Sequence, residues 1–142
     1  MRAAREAGLS TRDALDLGVE VKNADFVDGT QDPKNAHQPA MCADSNAAAC
    51  KAAFDKFLTE QWNSKTQAGF ARFLHAWQDQ YAGGYGFRIW DGGNLIGLPD
   101  RAHVQGDLYP GPDLARRIIN ESAVLIRAYR SVCPECFKTT KP

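Results

Sequence analysis

The chain has 142 residues, 44% apolar and 24% charged, which suits one folded globular domain with a real core. Its 17 basic residues balance its 17 acidic ones, which excludes the basic surface that duplex DNA binding usually requires. No apolar run approaches the roughly 18 residues of a membrane span, and the charged start Met1-Arg-Ala-Ala-Arg-Glu6 leads no signal-peptide core.

Apolar periodicity predicts four helices and almost no strand, an all-α single-domain bundle over residues 1–142. The first helix spans about Thr11 to Lys22, capped by Ser10 or Thr11, with Asp13 in its first turn. Turn formers then crowd the stretch from Asn23 to Met41, which reads as a long loop holding Asp25, Asp28, Asp32 and His37. A second helix, about Asn46 to Trp62, starts from a Ser45 or Asp44 cap and aligns Cys50, Ala53, Phe54, Phe57, Leu58 and Trp62. Asn63-Ser64 ends it and caps a third, about Lys65 to Ala82, with a stripe of Phe70, Phe73, Leu74, Trp77 and Tyr81. His75 and Asp79 fall beside that stripe, on a strip with Ala68, Ala71, Arg72 and Ala82, whose small side chains are expected to leave room for a ligand.

Gly83-Gly84 is expected to stop the third helix. The loop that follows, to Gly111, is rich in glycine and proline yet carries Tyr85, Phe87, Ile89, Trp90, Leu95, Ile96 and Leu98. Those residues predict an ordered, functional loop that folds over the polar strip and brings His103 near His75. A fourth helix from about Asp113 to Val132 is expected to bury Leu114, Ile118, Leu125 and Tyr129.

The four cysteines form a pair with seven residues between them, Cys42 and Cys50, and a tight motif, Cys133-Pro-Glu-Cys136. Two structural disulfides in an exported protein are expected; a zinc staple of all four, or free thiols, are the alternatives. Bonds within each pair are the simplest pairing, although bonds between the two ends would close a loop of about 90 residues and constrain the unfolded chain more.

Two of the three histidines open a His-x3-Asp motif: His75/Asp79 and His103/Asp107. On a helix this spacing puts an imidazole and a carboxylate on one face, with Cβ atoms roughly 6 Å apart, a geometry that can grip a divalent cation. It suits equally a metal-free pair in which Asp79 orients His75 as a general base, or a purely structural hydrogen bond.

The string from His75 to Asp107 resembles the core of the zinc-dependent phospholipase C and single-strand nuclease family, all-α enzymes that cleave phosphodiesters at a metal cluster. The family pattern runs His-x3-Asp-x5-His and, a few tens of residues on, His-x3-Asp. His75 and Asp79 match its first pair and His103 and Asp107 its last, while position 85, where the family has a histidine, is Tyr85. The resemblance implies Zn2+ shared by His75 and Asp79, a second ion at His103 and Asp107, and completion of the first site by His37 with Asp25 or Asp28. It implies a phosphodiester substrate, a phospholipid headgroup or a nucleotide. Tyr85 would hydrogen-bond the developing oxyanion, Asp79 or Asp107 would take a proton from water, and Arg72, Arg88 or Arg101 could steady a phosphate.

In size and layout the chain also resembles the C-terminal toxin modules of large bacterial secreted proteins, which implies delivery outside the producing cytoplasm and a cognate immunity protein as partner. Two readings from other classes stand beside these. One is a metal-free partner-binding or inhibitory module that docks through the aromatic loop. The other is a cell-wall glycan hydrolase using paired carboxylates such as Glu60 and Asp79.

Overall fold

A computed structural model describes residues 1–27, 35, 38, 40–42, 45–81, 87 and 111–137. Among them every regular element is helical: α1 (Arg2–Glu6), α2 (Thr11–Asn23), α3 (Ala47–Asn63), α4 (Gln67–Asp79) and α5 (Pro112–Val132). Short 3-10 turns follow α2 at Ala24–Phe26 and α5 at Pro134–Phe137. No helix among the described residues is long and apolar enough to cross a membrane.

Three helices start on a side-chain cap, each worth about 1 kcal/mol. Ser10 Oγ accepts from the Asp13 amide, Asn46 Oδ1 from the Ala49 amide and Thr66 Oγ1 from the Gly69 amide. The caps expected at Ser45 or Asp44 and at Ser64 are thus at Asn46 and Thr66. Ser64 is already used at the end of α3, where its hydroxyl donates to the Gln61 carbonyl at 2.8 Å. Lys65 then reverses the chain with a left-handed φ of 49°, which delays the next helix by two residues. This turn lies so close to α4 that a Cβ on Gly69 would sit 1.9 Å from Ser64 Oγ and 2.8 Å from Ser64 Cβ. Gly69→Ala is therefore expected to lower stability by about 1–2 kcal/mol, although alanine is the better helix former. Urea unfolding would check this; a variant more stable than the parent would contradict it.

α1 was not legible as a helix, since five residues cannot display a period. It is held from outside: Arg127 and Arg130 of α5 donate to the carbonyls of Glu6 and Gly8, both at 3.2 Å. Ala4, Ala7 and Leu9 go into the core.

α4 is the central helix, packed against α2, α3 and α5. Phe70, Ala71 and Leu74 join Leu17, Ile126, Tyr129 and Phe137 in the main core, while Ala76 belongs to a second cluster with Ala40, Met41, Phe54 and Phe57. Ala71, expected to leave room for a ligand, instead lies buried in the main core. Trp77 and Tyr81 are only half-buried. On α5 the buried residues are Ser122, Ala123, Ile126 and Tyr129, so the buried stripe is turned by about one position from the one expected. Leu114, Ile118 and Leu125 flank it, half-buried, and the buried Ser122 hydroxyl accepts from Gln78 Nε2 of α4 at 3.0 Å.

The cysteines pair locally, Cys42 with Cys50 and Cys133 with Cys136, each with Cα atoms 5.4 Å apart. That removes both the four-cysteine zinc staple and the end-to-end pairing. In the second pair Cys133 caps the end of α5 and Cys136 lies on the 3-10 turn beyond it. The first ties residues 41–42 to the start of α3. The neighbouring Ala40 carbonyl accepts the Phe87 amide at 2.7 Å, and the Phe87 ring stands edge-on to Phe54 at 5.1 Å. Phe87, the one described residue between 82 and 110, is thus core packing in the cluster that includes Ala76.

Candidate functional site

The site is built where the end of α2 crosses α4. The 3-10 turn at Ala24–Phe26 buries Ala24, which sets the next residue, Asp25, facing α4. One turn of α4 separates His75 from Asp79. His75 Nε2 lies 2.8 Å from Asp25 Oδ1 and 3.3 Å from Asp79 Oδ2. Ionised carboxylates only accept, so Nε2 is the donor between two acceptors. The side chains of His75 and Asp79 are 17% and 10% exposed, against 37% for Asp25, so Asp25 is the member open to solvent.

Asp79 is the last residue of α4, buried at the negative end of the helix dipole. Together with Asp25 it sets two carboxylates against one ring nitrogen. The donor types, one imidazole and two carboxylates, are those of hydrolytic zinc sites. At the same end of α4, Tyr81 stands edge-on to Trp77 at 5.0 Å, and the Arg117 guanidinium of α5 lies over the Tyr81 ring at 5.1 Å. A hydrogen bond to Glu121 holds the Arg117 pKa above its ordinary value.

Of the residues singled out from sequence, the structure brings His75 and Asp79 together and adds Asp25, one of the two upstream aspartates left open. Asp28, His37, Tyr85, His103 and Asp107 lie outside the described residues, as do Arg88, Arg101, the Gly83-Gly84 break and most of the loop up to Gly111. Glu60 of the glycan-hydrolase alternative is exposed and pairs along its own helix with Lys56 at 3.8 Å, whereas Asp79 is buried beside His75. Arg117 was not singled out; its i,i+4 spacing from Glu121 is visible in the sequence, but its place over Tyr81 is a tertiary fact.

Among the described residues, the one group of three potential ligands whose donor atoms all approach one another closely lies elsewhere, beyond α5. One donor atom each from Cys133, Glu135 and Cys136 lie within 4.8 Å of one another, so this group could bind a metal ion. Comparison of the chain with family models, with curated proteins and with solved structures finds no match.

Proposed function

We propose that the protein is a metal-dependent phosphodiester hydrolase in which His75, Asp79 and Asp25 hold a zinc ion. The observation that carries this reading is Asp25: a carboxylate 50 positions upstream meets the same ring nitrogen as the helix-borne Asp79. A structural His–Asp pair needs only one carboxylate, whereas a cation site draws on several converging donors, and a second oxygen beside the imidazole supports that reading. Bound zinc supplies Lewis acidity toward a phosphoryl oxygen and brings the pKa of water down to about 7. His75 and the buried Asp79 fix the geometry, because neither can turn away without leaving a buried polar group unsatisfied. Asp25, open to solvent, would hold the cation through one carboxylate oxygen, and Asp79 or Asp107 would take a proton from water. In this reading His103 and Asp107 provide a second pair of donors, His37 or Asp28 a further one, and Tyr85 a hydrogen bond to the phosphoryl oxygen.

Two disulfides within the chain accord with an oxidising environment, and the proposal places the enzyme outside the producing cytoplasm, as a toxin module with an immunity partner would be. The test is hydrolysis of bis(p-nitrophenyl) phosphate by the purified, oxidised protein. Activity should vanish on chelation and return with zinc, and assays on phosphatidylcholine and single-stranded DNA then distinguish lipid from nucleotide. Hydrolysis that persists in the metal-stripped protein would replace zinc by His75 acting as a general base; no hydrolysis of any phosphodiester would remove the proposal.

A further inference from the structure

The turn after α5 holds an arrangement that a structural disulfide does not need. Cys133 is the buried last cap of α5, and the 3-10 turn at Pro134–Phe137 brings the half-buried Cys136 back to it. Glu135 between them is exposed, yet its Oε1 lies 2.9 Å from Cys133 Sγ. On another side the Lys65 carbonyl oxygen lies 3.5 Å from the same sulfur. A disulfide sulfur has no hydrogen to give to either oxygen. A thiol has one, and a thiolate beside a carboxylate needs a cation between them. Backbone oxygens lie 3.1 Å from Cys42 and Cys50 too, so what sets Cys133 apart is the Glu135 carboxylate, a third ligand group within 4.8 Å of both sulfurs, which suits a metal-bound pair.

We propose that Cys133, Glu135 and Cys136 form a redox-gated site for a thiophilic divalent cation of the zinc class, closed as a disulfide and opened by reduction. A dithiol reductant delivers two electrons and two protons to the Cys133–Cys136 bond and itself becomes a disulfide. Binding of the cation then displaces the two thiol protons, leaving two thiolates and the Glu135 carboxylate as ligands, with a fourth position for water. Two residues between the cysteines is the usual spacing of one edge of a zinc site. In both states the turn stays closed, and with it Phe137, which packs against Phe70 and Tyr129 in the main core. The end of the fold is thus stapled in oxidising and in reducing surroundings alike. This inference is independent of the activity proposed for His75.

Anaerobic titration of the reduced, reductant-free protein with Co2+ tests it. A thiolate-to-cobalt charge-transfer absorption that rises to saturation, and loss of that band on adding Zn2+, are expected. The oxidised protein should show no such band. Glu135→Gln, a change on an exposed side chain that leaves the fold alone, should weaken cobalt binding at least about tenfold, and Cys42→Ser/Cys50→Ser should keep the band. Absence of the band in the reduced protein, its survival in Cys136→Ser, or unchanged affinity in Glu135→Gln would overturn the proposal. Should the cysteine variants fail to fold, Glu135→Gln decides alone. Cobalt at His75 gives no thiolate band, so the two sites fail or succeed separately.

Discussion

His75→Ala is expected to reduce phosphodiester hydrolysis at least about a hundredfold while the helical fold persists. The imidazole belongs to neither apolar cluster, so its removal leaves the packing of α4 against α2, α3 and α5 in place. The cost to stability is local. Asp79, buried at the end of α4, loses one partner, which costs about 1–2 kcal/mol and lowers the melting temperature by several degrees without loss of cooperativity. Activity and circular dichroism on the same preparation separate the effects. Full activity in a folded His75→Ala protein would end the catalytic reading, and loss of helix content would show that His75 serves the fold instead.

Tyr129→Ala should have the largest effect on stability, a loss of about 3–5 kcal/mol, set against the 5–15 kcal/mol that holds a typical domain together. Tyr129 is fully buried on α5 and stacks on Phe70 of α4 at 4.2 Å, with Trp62 edge-on at 5.0 Å and Phe137 beyond it at 6.2 Å. One ring thereby joins α3, α4, α5 and the closing turn, and truncation leaves a cavity that three other aromatic side chains cannot collapse to fill. Tyr129→Phe removes only the hydrogen bond from its hydroxyl to the Thr66 carbonyl at 3.2 Å and should cost about 1 kcal/mol. Chemical denaturation of the two variants gives the comparison. Equal losses would mean that the hydroxyl, and not the ring, secures the junction.

The all-α architecture was legible because apolar spacing on α2, α3, α4 and α5 follows a helical period over 13 or more residues each. Cap positions were less so. Ser64 and Thr66 have similar chemistry, and only the left-handed turn at Lys65 decides which hydroxyl faces a free amide. The α5 stripe was misplaced by one position because Ser122, though polar, is buried with Gln78 as its partner, a pairing between helices that no local pattern reveals. At the site, His75 and Asp79 were visible as one turn of helix. Asp25 stood out only as one of several aspartates in a polar loop, since its approach to His75 depends on how Ala24 packs. The pairing of the cysteines followed the shortest sequence separations, as local turn geometry favours.

The central claim, that Asp25, His75 and Asp79 are cation ligands, is tested most directly by calorimetric titration of the oxidised, metal-stripped protein with zinc. With all four cysteines bonded, no thiolate contributes to the signal. The account predicts saturable binding that is at least about tenfold weaker in Asp25→Asn and lost in His75→Ala. No binding by the parent protein, or the same affinity in all three, would contradict it.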